Sequence, residues 1–210
     1  AQSFRIVTRL APHQAGYLGL NLTRASLNAM LKYPYRRDLA HPATKKYRKF
    51  GAYEVDAFDL GFARGGATHD RRCVEAEIMD LADDIAYCVH DLVDFFRAGL
   101  IPLESLARDE GDGPLKRLLD RWHPKDAQYD NVRHHEPALR RFLEVLPADR
   151  PYTGSYDESL LLYTATSTLI DGFVRAVSLA PDDSAERLIV FDDEHRAQLD
   201  LLHRLVHDYV

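Results

Sequence analysis

Apolar residues recur every three or four positions through most of the chain, and no run alternates apolar and polar residues between hairpin turns. The pattern predicts an all-α protein. Its longest helix is expected over residues 72–98, where Leu81, Ile85, Val89, Leu92 and Phe96 form one core-facing side. Gly99 ends that helix and Pro102 lies just beyond. A shorter helix over residues 22–32, capped by Thr23 or Asn21, is stopped by Pro34. Amphipathic segments follow near residues 103–108, 114–122 and 137–146, separated by Gly111-Asp112-Gly113, by His123-Pro124 and by the stretch 147–151. A second long helix is expected over 156–179, with Leu160, Tyr163, Ser167, Ile170 and Val174 as one stripe and Pro181 as its breaker. A last helix starts near Asp193. No internal repeat or low-complexity segment interrupts the chain, so residues 1–210 are expected to form a single domain.

Apolar character begins at once with Phe4-Arg5-Ile6-Val7, and Leu199, Leu202, Leu205, Val206 and Tyr209 keep a helical rhythm up to the end. Both ends are therefore expected to be cut, leaving a helical bundle incomplete at each. The 46% hydrophobic content is enough for a substantial core, and the net charge of -6 provides no global basic field to recruit nucleic acid or an anionic membrane. Against that acidic background Arg36, Arg37, Lys45, Lys46, Arg48 and Lys49 gather positive charge in one short stretch. Cys73 and Cys88 are too few for a disulfide framework or a thiolate zinc site and fit a reducing compartment, with the cytoplasm as default. No stretch reads as a membrane span or a secretory signal.

Candidate chemistry concentrates between Glu75 and Asp91. With Asp83 at the origin of a helical wheel, Tyr87 falls at about 40° and Asp91 at about 80°, since each residue advances roughly 100°. Asp80, His90 and Asp94 share that side. An acidic stripe of this kind is commonly just the solvated face of an amphipathic helix, but a tyrosine at its centre argues for a further role. Elsewhere the signals are weaker. His69-Asp70 and His207-Asp208 read as surface pairs, and His134-His135-Glu136 lacks the i, i+4 spacing that puts two imidazoles on one helix face. Arg133, Arg140 and Arg141 read as a solvated face, and Trp122 as a packing anchor. Ser155 and Ser167 have no evident His and Asp partners, and Gly65-Gly66 lacks the strand and lysine of a phosphate loop.

The run Ala82-Asp83-Asp84-Ile85-Ala86-Tyr87, preceded by Glu75-Ala76-Glu77-Ile78-Met79-Asp80 and followed by His90-Asp91, resembles bacterial deoxynucleoside triphosphate triphosphohydrolases of the HD-domain superfamily. Further segments resemble that family in the same order: Gln2-Ser3-Phe4-Arg5-Ile6, Gly19-Leu20-Asn21-Leu22-Thr23-Arg24-Ala25, Leu31-Lys32-Tyr33-Pro34, Lys49-Phe50-Gly51-Ala52-Tyr53-Glu54, Thr166-Ser167 with Leu169-Ile170, and Phe173-Val174. The resemblance implies an HD-like helical bundle that hydrolyses dGTP or other dNTPs to a deoxynucleoside and inorganic triphosphate. It also implies that Asp83 is the last of four metal ligands, suited with imidazoles to Mn, Mg or Fe. Tyr87 and Asp91 would bind the deoxyribose, and Lys32, Tyr33 and Lys49 would surround the triphosphate. The first His and the His-Asp pair of the family lie upstream of Ala1, so no catalytic residue is assigned within these 210 residues, and the chain alone is expected to be inactive. A homo-oligomer is the implied assembly. Two other readings are open: an inactive nucleotide-binding or assembly module, and an HD phosphodiesterase acting on another phosphoester.

Overall fold

In a computed structural model the described residues are 1–107, 143–145, 151–181 and 187–209. Trp122, the 134–136 cluster, Arg133, Arg140 and Arg141, and the segment 114–122 lie outside them, as does all but 143–145 of the expected 137–146 helix. The described residues are predominantly helical. They divide into two compact units, one of residues 1–82 with 179–189 and one of residues 83–178 with 190–210.

The first unit is built from short helices. A helix α1 (Gln2–Arg5) continues into a π-helical turn at Ile6–Leu10, and α2 (Arg24–Ala29) starts where the Thr23 hydroxyl accepts from the Ser26 N–H at 3.2 Å. Next come α3 (Lys45–Arg48) and α4 (Ala57–Arg64). Phe4, Leu27, Leu31, Ala52, Leu60 and Ala63 form the core, with Val7, Leu22 and Met30 packed against it. A buried carboxylate ties α1 to the entry of α4: the Arg5 guanidinium donates to both oxygens of Asp56, at 3.1 and 3.2 Å.

The long helix α5 (Val74–Arg97) belongs to the first unit up to Ala82 and to the second from Asp83. Its apolar side is the expected one, with Leu81, Ile85, Val89, Leu92 and Phe96 all buried. Gly99 at φ 70 closes the helix in the left-handed conformation that a glycine adopts without a Cβ penalty. After α6 (Leu103–Ala107), α7 (Tyr156–Arg175) opens on a reciprocal cap, in which Ser155 Oγ accepts from the Glu158 N–H and the Glu158 carboxylate accepts from the Ser155 N–H. The chain closes with α8 (Asp193–Tyr209).

Two expectations for α7 need correction. The buried stripe is Leu162, Ala165, Leu169 and Phe173, whereas Leu160, Tyr163 and Val174 of the expected stripe are exposed at 52%, 70% and 61%. Both sets have helical spacing, and Phe173 decides between them by sitting 6.2 Å from Phe191 and 6.0 Å from His195. The helix also stops at Arg175 rather than running to Leu179. Val177–Leu179 is a strand, β1, paired with β2 (Ile189–Phe191), so the chain is not purely helical. The buried Glu77 of α5 accepts from the N–H groups of Leu188 and Ile189 at 2.8 and 3.2 Å, giving the entry to β2 a fixed acceptor. Among the described residues no helix is long and apolar enough to cross a membrane.

Candidate functional site

In the first unit, the segment after α2 turns at Pro34 and runs beside the segment after α3. The Gly51 N–H donates to the Tyr35 carbonyl at 3.0 Å, and Arg36 and Ala52 form a parallel bridge. The two strands of backbone are so close at Gly51 that a Cβ there would lie 2.0 Å from the Tyr33 carbonyl oxygen. Only glycine fits, and its presence brings the Lys32-Tyr33 pair alongside Arg48-Lys49.

The result is a cavity of about 660 Å³ whose walls include Lys32, Tyr33, Arg48, Lys49, Phe50 and Tyr53. All three residues expected around the triphosphate are in that wall, the two lysines 17 positions apart in sequence. Lys32 is ion-paired with Asp80 of α5, which also receives the Arg72 guanidinium. Burial alone would push the Asp80 carboxyl up, but the hydrogen bonds from Lys32 and Arg72, together with their charges, hold it below the ordinary carboxylate range. Arg48 and Lys49 are exposed and make no ion pair among the described residues. The wall is therefore cationic at one end, with a hydrogen-bonding phenol beside it. Such a surface can hold a polyphosphate, each lysine as a point charge and the guanidinium as a fork of donors.

In the second unit, α5 carries the acidic stripe. Asp83 and Tyr87 are exposed, Tyr87 at 62%, and Asp91 is half-buried. His90, the other member of the His-Asp dipeptide, is exposed. Behind the stripe Cys88 is buried, and burial first, then the carboxylates of Asp84, Asp91 and Asp200, push its thiol up to about 12. It is a packed thiol, not a nucleophile. Among the described residues no three His, Cys, Asp or Glu side chains come together to hold a metal ion. Asp83 by itself supplies one hard oxygen donor, which does not make a site.

Sequence reasoning singled out Lys32 and Asp80 separately and did not pair them, and it left Arg72 unassigned. No periodicity links a residue of the α2 exit with one on α5, 48 positions later. The close approach at Gly51 was equally silent, because a lone glycine in a loop reads as punctuation. Arg48 stood only as one member of a basic stretch. Of the other dipeptides, Asp70 pairs with Lys46 at the surface, as expected, whereas at His207-Asp208 only the histidine is exposed: the Asp208 side chain is 16% exposed and pairs with Arg204.

No protein-family model matches the chain. Among curated proteins, one from Streptomyces coelicolor named deoxyguanosinetriphosphate triphosphohydrolase-like protein is 39% identical over 184 residues, covering 86% of this chain and 42% of that protein. Proteins of the same name from Corynebacterium diphtheriae and Bifidobacterium longum are each 34% identical, over 84% and 88% of this chain and 42% and 39% of their own lengths. The chain thus spans about two fifths of the length of the curated relatives it matches.

Proposed function

We propose a function for a chain that belongs to the deoxyguanosinetriphosphate triphosphohydrolase-like proteins: the intact protein hydrolyses a deoxynucleoside triphosphate, releasing the deoxynucleoside and inorganic triphosphate. The observation that carries this reading is the cationic cavity wall of Lys32, Tyr33, Arg48 and Lys49 in a chain of net charge -6. Lys32, held by Asp80, supplies fixed positive charge for the polyphosphate, which costs no reorganisation during the reaction, and the exposed Lys49 adds a second charge. Tyr33 donates its phenol proton to a phosphate oxygen. On α5, Tyr87 and Asp91 hydrogen-bond the deoxyribose and its 3′-hydroxyl.

Asp83 is proposed as one donor to a divalent Mn, Mg or Fe ion. The described residues do not complete that coordination, so no hydrolytic step is derived from them. Further donors would come from beyond the described residues, and without them the chain should not turn over dGTP. A cytoplasmic location and a homo-oligomeric assembly belong to the same proposal. A second reading, a nucleotide-binding or assembly module, is favoured by Asp83 standing without two further donors among the described residues.

Calorimetry with inorganic tripolyphosphate tests the carrying observation. The chain should bind it, and Lys49→Gln with Arg48→Gln should weaken binding tenfold or more. Equal binding by the double variant would remove the basis for the proposal. Turnover of dGTP by the intact protein separates the enzyme from the module, which would bind nucleotide and release nothing. A preference for dGTP over GTP would support the sugar contacts of Tyr87 and Asp91; no preference favours another phosphoester.

A further inference from the structure

A second cavity in the first unit, of about 850 Å³, shares no lining residue with the first. Its size lies within the roughly 300–1,000 Å³ typical of small-molecule sites. Four cationic side chains line it, Arg36, Arg37, Lys46 and Arg64, against three carboxylates, Asp38, Glu54 and Asp70. The carboxylates are engaged: Glu54 by Arg36 at 2.5 Å, Asp70 by Lys46, and Asp38 by His41 at 3.0 Å and by the N–H groups of Ala40 and His41.

Arg37 and Arg64 differ. Arg64 donates to the Asn28 side-chain oxygen at 3.0 Å and to the His69 carbonyl at 2.8 Å. Arg37 donates to the Tyr47 carbonyl at 3.1 Å and stacks over the Tyr47 ring. Both guanidinium groups are on half-buried residues, and among the described residues neither has a carboxylate partner. Neutral acceptors fix their orientation without neutralising them. A half-buried cation without a counter-charge is costly, and a planar fork of donors suits a phosphate.

We propose that this cavity is a second anion-binding site, distinct from the Lys49 cavity, that takes a small phosphorylated ligand on Arg64. The exposed Leu39 and the Tyr35 ring at the same wall offer apolar surface for an organic body attached to the phosphate. The site stands apart from the proposed function, because its residues are different and its failure would leave the Lys49 cavity untouched.

The test is calorimetric titration of the full chain with inorganic pyrophosphate at low salt. Two classes of site are expected. Arg64→Gln should weaken one of them tenfold or more and leave the Lys49-dependent class unchanged. Ala67→Glu, which puts a negative charge on the exposed rim and removes no side-chain hydrogen bond, should do the same if thermal unfolding is unaltered. Repeating the titration with ADP distinguishes the source of the phosphate: tighter binding that Ala67→Glu abolishes supports an organic phosphate, and equal binding supports the phosphate group alone. If pyrophosphate binds both variants as it binds the parent chain, or if Lys49→Gln removes all binding, the second site does not exist.

Discussion

At the scale of single residues, the chain uses its ionisable groups in two ways, and pH and labelling separate them. Asp80 is held ionised by Lys32 and Arg72 against the burial that opposes it. Its folded pKa lies below the unfolded value, so the ion pairs are complete above about pH 4 and weaken only as pH falls through the lowered folded value. An NMR titration of the Asp80 carboxyl should place its midpoint below that of an unstructured aspartate; a midpoint at or above it would mean that Lys32 is not held as described. Cys88 is the opposite case, a neutral group kept neutral. With its thiol pushed up to about 12, iodoacetamide at pH 8 should leave Cys88 unlabelled in the folded chain and label it after unfolding. Prompt labelling would contradict its burial. Asp83, Tyr87 and Asp91 could be picked out as a helical stripe because a wheel needs only spacing. The Asp80 pairing was illegible because ion pairs between distant segments leave no periodic trace.

At the scale of elements, periodicity located the helices and failed where two faces had equal claims. In α5 the apolar and polar sides are unambiguous, and the expected core side is the buried one. In α7 both faces carry apolar residues at helical spacing, and the packing of Phe173 on Phe191 selected the face that pattern alone did not. Leu169→Ala should therefore cost about 2–5 kcal/mol in chemical denaturation. Leu160→Ala, on the exposed face, should stay within about 0.5 kcal/mol; comparable losses at both positions would refute this assignment. The strand pair was missed because β1 and β2 are three residues each, too short for alternation to register. The pairing of the Tyr33 and Gly51 segments makes a further test. Gly51→Ala puts a methyl group 2.0 Å from the Tyr33 carbonyl oxygen and should destabilise the first unit by about 1–3 kcal/mol while weakening tripolyphosphate binding. Wild-type stability and binding in that variant would show that the close approach does not shape the cavity.

At the scale of the whole molecule, an acidic chain keeps its cations local. Lys32, Arg48 and Lys49 meet in one cavity wall although the net charge is -6, so attraction for anions is set locally and not by the net charge. Relatives in three bacteria share the chain over most of its length, and the chain spans only about two fifths of theirs. The hydrolysis proposed above therefore concerns a protein of the relatives' full length. The account is tested most directly by the products that the intact protein forms from dGTP with Mn²⁺, resolved by anion-exchange chromatography. It predicts deoxyguanosine and inorganic tripolyphosphate, formed at least tenfold more slowly when Lys49 and Arg48 are both replaced by glutamine. Release of dGMP with pyrophosphate, or of orthophosphate alone, would contradict it.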